Sequence, residues 1–146
     1  MMGGDMGGMM SPENMRGPMR TGMELFEHHK LIQRKVTELP NGVHDVTTST
    51  DPATAALIKK HVVEMYARVD QDRPFPYPMS KSVPQMFANS TKYQRKLNIL
   101  TDGVAVTETS SDPEMVAAIK EHAQELSRFA KYGMPAMMRG MMRGGM

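Results

Sequence analysis

A duplicated stretch constrains the fold of this chain more than any other feature. Residues 32–74 overlay residues 93–135 without a gap, at an offset of 61 positions, and 16 of the 43 aligned pairs are identical. Both copies share a Gln-Arg-Lys run, a Gly-Val pair, a Thr-Ser-x-Asp-Pro box and an Ile-Lys-x-His run. Two copies of one supersecondary unit predict a pseudo-symmetric domain rather than an extended solenoid.

Each copy contains signals for a first helix and a hairpin. Thr21 and Ser82 each open a Ser/Thr-x-x-Glu/Gln pattern, which is a capping box, so a helix is expected to begin at each. The pairs Asn41-Gly42 and Asp102-Gly103 then predict two-residue type I′ turns, because Asn, Asp and Gly tolerate the positive φ that such turns require.

A second helix follows each hairpin. Asp51-Pro52 and Asp112-Pro113 combine an N-capping carboxylate with a proline suited to the first helical position. The apolar residues that follow recur at helical spacing, which predicts helices over about 52–69 and 113–131.

The predicted fold class is α+β. Two helix–hairpin–helix units, 21–74 and 82–135, would share one four-stranded antiparallel sheet with helices packed on one face, because an isolated hairpin is barely stable. They predict a single pseudo-two-fold domain over residues 21–133. The ends, 1–20 and 134–146, are rich in Gly and Met without an apolar period, and they predict flexible tails.

One pair of charges departs from the repeat. Glu38 and Asp45 stand where the second copy has Ile99 and Val106. Like charges directly opposite one another in a hairpin are unfavourable, so we expect this end of the first hairpin to lie outside the core. A site that binds an ion through carboxylate oxygens is the alternative.

Composition bounds the function. The net charge is only +2, so a polyanionic partner is not expected. Cys is absent, so a thiolate metal site is not expected, and no apolar run is long enough to span a membrane. The few Arg-Gly dipeptides lack interleaved aromatic residues, so nucleic-acid binding is not expected either. Phosphate loops, nucleophile elbows and metalloprotease motifs are also absent, and the chain is predicted to be a binding protein rather than an enzyme.

The histidines are the sharpest candidates in the predicted domain. His61 and His122 are retained in both copies while neighbouring core positions differ, and near a pseudo-two-fold axis they could form a bis-His site for a metal or for heme. Met65 lies one turn after His61 on the same helix face, and His28-His29 could complete such a site. The alternative is that each histidine only hydrogen-bonds locally.

Methionine is concentrated at the two ends of the chain. Of the 18 methionines, eight lie in residues 1–23 and six in 134–146, among Gly and Arg rather than in periodic segments. Thioethers bind Cu(I) without deprotonation, so Met-x-x-Met spacings predict copper ligands. The candidate thioether ligands are Met6, Met9, Met10, Met137, Met138, Met141 and Met142.

These end segments resemble the Met-rich segments of bacterial periplasmic copper-handling proteins. The resemblance covers about residues 1–23 and 134–146, and it implies binding, storage or transfer of Cu(I), an extracytoplasmic location and a metal-delivery partner. A cytoplasmic location is the alternative. Two other functions stay open: a heme-binding protein that uses His61 and His122, and a metal-free structural module that forms a homodimer through its exposed sheet face.

Overall fold

The computed structural model describes residues 18–73 and 80–133. Four α-helices occur there: α1 (Pro18–Glu27), α2 (Pro52–Asp70), α3 (Ser82–Ala88) and α4 (Pro113–Tyr132). The strands are β1 (Gln33–Leu39), β2 (Gly42–Thr48), β3 (Gln94–Leu100) and β4 (Gly103–Thr109). Short 3₁₀ turns, His29–Leu31 and Ser90–Lys92, precede β1 and β3. Most of the predicted N-terminal tail and all of the C-terminal one lie outside the described residues.

The strands form one antiparallel sheet in the order β1-β2-β4-β3. The two hairpins therefore join through their second strands, and Val46 pairs with Ala105 at the middle of that junction. The backbone N–H of Ser49 donates to the carbonyl of Asp102, and that of Ser110 donates to Asn41, so each strand β2 and β4 ends on the turn of the other hairpin. The predicted α+β class with a four-stranded antiparallel sheet is confirmed.

The predicted type I′ turns are wrong. Leu39 pairs with Gly42, so the two loop residues of the first hairpin are Pro40 and Asn41, and Gly42 already belongs to β2. Among the described residues, positive φ occurs only at Asp72 and Gly133. Pro at the first loop position presets the negative φ of an ordinary type I turn.

Gly42 and its counterpart Gly103 are required for a different reason. A Cβ on Gly42 would lie 1.9 Å from the carbonyl oxygen of Glu108, and a Cβ on Gly103 would lie 1.9 Å from that of Thr47. Both obstacles are backbone atoms of the neighbouring central strand. Glycine therefore permits the close approach of β2 and β4 rather than a left-handed turn.

The starts of α2 and α4 follow their sequence signals. Asp51 accepts a hydrogen bond from the backbone N–H of Thr54 at 3.0 Å, and Asp112 accepts one from that of Glu114 at 3.0 Å. Proline occupies the first turn of both helices. The predicted N-caps are confirmed, and the helices end within one residue of the predicted positions.

The predicted starts of α1 and α3 need correction. Helix α1 begins at Pro18, so Thr21 is a buried residue inside the helix and not its cap. At α3 the hydroxyl of Ser80, not Ser82, accepts from the backbone N–H of Val83 at 3.0 Å. The carboxylate of Glu125 on α4 accepts hydrogen bonds from the backbone N–H groups of Lys81 and Ser82, so a contact from a distant helix caps α3.

Buried apolar residues of the helices and strands form the core in three clusters. Val43 of β2 packs in one of them with Ile119 of α4, and Val104 and Val106 of β4 pack in another with Ile58 of α2. The third cluster joins helices through Phe26, Val69, Val83 and Phe87. Within β1, the exposed Gln33, Lys35 and Thr37 alternate with the half-buried Arg34 and Val36, so the predicted solvent face of this strand is confirmed.

Asp45 contradicts the expectation that the charged end of the first hairpin lies outside the core. Asp45 pairs with Val36 rather than with Glu38, and it is only 7% exposed. Its carboxylate lies 3.2 Å from the Arg34 guanidinium, and both side chains are buried. A buried cation thus balances the charge of Asp45, while Glu38 is exposed opposite Val43.

No helix among residues 18–73 and 80–133 is both long and apolar enough to cross a membrane.

Candidate functional site

A cavity of about 120 Å³ lies between helices α1, α2 and α4 and the strands β1 and β2. Its walls are mainly aliphatic and aromatic, and only four of its side chains are polar. Those polar side chains are His29, Arg34, Thr47 and His61. The apolar walls come from Gly22, Leu25, Phe26, Ile32, Ile58, Val62, Leu126, Phe129 and Ala130. An apolar pocket with a few convergent polar groups is the usual form of a ligand site.

His61 contributes an imidazole without a local partner. Its Nδ1 atom is buried and has no hydrogen-bond partner among residues 18–73 and 80–133. Burial lowers the pKa of His61 to about 4, because the charged imidazolium loses solvation among apolar walls. The ring is therefore neutral near pH 7, and a neutral imidazole is the form that binds a metal ion.

His29 lines the same cavity and has a defined tautomer. Its Nδ1 lies 3.0 Å from the backbone carbonyl oxygen of Ala130. A carbonyl only accepts hydrogen bonds, so Nδ1 carries the proton and Nε2 of the neutral ring keeps its lone pair. Metal-binding histidines usually have such an acceptor on the other ring nitrogen.

His122 occupies a different environment. Its Nδ1 lies 2.7 Å from the hydroxyl oxygen of Ser82, and that hydroxyl donates its proton to Glu125. Burial, assisted by the positive charge of Arg34, lowers the pKa of His122 to about 4. His122 does not line the cavity that contains His61. The local hydrogen bonding that was the alternative for both histidines is therefore present at His122.

The remaining predicted ligands within the domain have local roles. Nδ1 of His28 lies 3.2 Å from the Thr54 hydroxyl at the start of α2. Met65 packs against the cluster that contains Phe26 and Val69, and it does not line the cavity. Met23 packs there too, and Met86 and Met115 are buried in the core.

The structure therefore brings together two of the predicted nitrogen ligands, His29 and His61. The predicted thioether ligands, Met6, Met9, Met10, Met137, Met138, Met141 and Met142, lie outside the described residues. Within residues 18–73 and 80–133, no three His, Asp or Glu side chains form a group that could hold a metal ion. Among the described residues, His29 and His61 are the two imidazoles that line the cavity.

Heme does not fit the cavity. Pockets for drug-sized ligands and cofactors measure about 300–1,000 Å³, whereas this cavity measures about 120 Å³. A bis-His heme site would also need His61 and His122 on one cavity, and only His61 lines it.

A second buried polar group, centred on Glu108, was not anticipated from the sequence. The hydroxyl of Tyr66 donates to the Glu108 carboxylate at 2.8 Å, and the guanidinium of Arg95 lies over the rings of Tyr66 and Tyr93. Burial raises the pKa of Glu108 to about 7 and also raises the pKa of Tyr66. The sequence feature that could have pointed to this cluster is the Gln-Arg-Lys run that is identical in the two copies, because it supplies Arg95 here and Arg34 beside Asp45.

Comparison with family models, curated proteins and solved structures found no match to this chain.

Proposed function

We propose that this protein binds copper as Cu(I), for storage or transfer, through methionines near its two ends and a His-based site in the domain. The observation that carries the proposal is His61, which presents a neutral, buried imidazole nitrogen without a hydrogen-bond partner beside an apolar cavity. A buried polar atom without a partner is costly, and a bound ligand would compensate that cost.

The distribution of methionine supports the same ion. Met23, Met65, Met86 and Met115 have packing roles in the core. Twelve of the 18 methionines, six in residues 1–17 and six in 134–146, lie among Gly, Pro and Arg instead. Thioethers are soft ligands that favour Cu(I), and they resist the disulfide formation that thiols undergo in an oxidising compartment. We therefore propose an extracytoplasmic location and a protein partner that exchanges the ion.

The finer architecture is part of the same proposal. The two units have strands and 3₁₀ turns at the same relative positions, 61 residues apart. We infer that they derive from one duplicated unit, with helices on a single face of the shared sheet.

A Cu(I) titration of the full chain against a competing chelator under anaerobic conditions tests the proposal. The test variant changes to leucine the methionines Met6, Met9, Met10, Met137, Met138, Met141 and Met142. The matched control is Met65→Leu, since Leu126 stands at the equivalent position of the second unit. We expect the test variant to bind fewer Cu(I) ions and the control to bind as many as the unmodified chain. Equal stoichiometry in all three proteins would refute a copper-binding role of the end segments.

A further inference from the structure

We infer that the cavity between α1, α2 and α4 holds one Cu(I) ion, with Nδ1 of His61 and Nε2 of His29 as its nitrogen ligands. The inference rests on the proposed function and identifies its core site. It excludes His122, although that residue is the sequence equivalent of His61.

The two histidines are suited to the role by their unused nitrogen atoms. His61 Nδ1 is buried without a partner, and the carbonyl of Ala130 holds the proton of His29 on Nδ1, which leaves Nε2 free. In both rings a lone pair is available without the loss of an existing hydrogen bond. At His122 the Nδ1 corresponding to that of His61 is bonded to Ser82, and His122 does not line the cavity.

The cavity walls favour a monovalent ion. Arg34 lines the cavity, but its charge is balanced by Asp45 at 3.2 Å, and its N–H groups also donate to Thr47, Ser127 and the Ala123 carbonyl. No carboxylate from the described part of the chain lines the cavity. Transfer of an ion into apolar surroundings becomes more costly with its charge, so two neutral imidazoles suit Cu(I) better than Cu(II) or Zn²⁺. Zn²⁺ also usually takes four ligands.

The asymmetry between the two units places the site in the first one. Gly22, Ile32 and Thr47 line the cavity where the second unit has the larger Val83, Tyr93 and Glu108, and His29 replaces Ser90. Val62, which is larger than its counterpart Ala123, changes in the opposite direction. Val83 and Tyr93 are buried in the core of the second unit. The first unit thus has smaller side chains at three of these positions and a second imidazole, His29, at a fourth.

The decisive experiment follows imidazole nitrogen and methionine methyl signals by NMR as Cu(I) is added to the full chain without oxygen. We expect the signals of His61 Nδ1 and His29 Nε2 to shift on metal binding. The signals of His122, and of His44, whose Nδ1 lies 2.9 Å from the Thr107 hydroxyl outside the cavity, should not change. A shift confined to methionine methyl groups would overturn this inference and the His-based site of the proposed function, and would leave Cu(I) binding by the end segments intact. No shift of either kind would overturn both, and a shift of His122 would overturn the asymmetry.

His61→Leu separates a ligand role from a structural one. The leucine removes a buried nitrogen that has no partner, so the apoprotein should unfold at a higher urea concentration than the unmodified chain. The same variant should lose one Cu(I) ion from the stoichiometry, or bind that ion at least about 100-fold more weakly, since even removal of a supporting hydrogen bond costs 10–100-fold. His122→Leu, the matched control, should unfold at a lower urea concentration and keep the ion. A lower unfolding midpoint for His61→Leu with unchanged Cu(I) stoichiometry would show that His61 is a structural residue.

Discussion

Substitution of Gly42 by alanine tests the central junction of the sheet. The new Cβ would lie 1.9 Å from the Glu108 carbonyl oxygen, and ordinary van der Waals contact begins at 3.4 Å, so β2 and β4 must separate locally by about 1.5 Å. Forced overpacking costs about 1–3 kcal/mol, and each lost ladder hydrogen bond adds about 1 kcal/mol. Alanine also lowers the conformational entropy of the unfolded chain, which stabilises the folded state by about 0.4–1 kcal/mol. With one ladder hydrogen bond lost, we expect a net loss of roughly 1–4 kcal/mol in the free energy of unfolding.

Urea unfolding followed by circular dichroism measures this loss, with Asn41→Ala as the neighbouring control. Asn41 is an exposed loop residue with negative φ, so its replacement should change the free energy of unfolding by less than about 0.5 kcal/mol. In a type I′ turn, by contrast, both positions would need positive φ and both substitutions would be costly. A loss below about 1 kcal/mol for Gly42→Ala, or similar losses for the two variants, would refute the close approach of β2 and β4.

Two further substitutions test the buried charges. Burial raises the pKa of folded Glu108 from 4.5 to about 7, so the folded state holds this proton more tightly, and Glu108 destabilises the fold increasingly as pH rises through that window. The Glu108→Gln variant should therefore become more stable than the unmodified chain as pH rises from 4.5, by at most about 3 kcal/mol above pH 7. Urea unfolding at pH 4.5 and pH 8 measures this, and an equal stability difference between the two proteins at both pH values would contradict it. The buried histidines are present in both proteins, so their titration cancels in the comparison. Arg34→Met leaves the buried Asp45 carboxylate unpaired and should lower the free energy of unfolding by about 3–5 kcal/mol. The control, Lys120→Met, removes the partner of Glu38, which is 57% exposed, and should lower it by less than about 1 kcal/mol. Similar thermal unfolding midpoints for the two variants would argue against a buried ion pair.

The candidate site was predictable in its residue types but not in its pairing. His61 and His122 occupy equivalent positions in the sequence, and symmetry alone suggested that they act together. The difference between them depends on neighbours contributed by distant segments, because Ser82 reaches His122 while His61 Nδ1 has no partner. His29 gains its role from the carbonyl of Ala130, which lies 101 residues further along the chain.

Local signals determined the element types. The Asp-Pro pairs specified the starts of α2 and α4, because a capping carboxylate and a fixed proline φ act within one turn of the chain. Alternating burial along the strands followed from the two-residue period of the side chains. The repeat itself indicated two like units that need a shared sheet to be stable.

Only the tertiary structure decided how those elements meet. Gly42 was interpreted as a turn residue because its local sequence allowed it, yet the carbonyl of Glu108 on another hairpin is what requires glycine there. Asp45 was expected outside the core because its buried partner, Arg34, could be recognised only once the register of β1 and β2 was known. Local propensity acts over a few residues, whereas close approach, ion pairing and cavities depend on atoms that the folded chain brings together from distant positions.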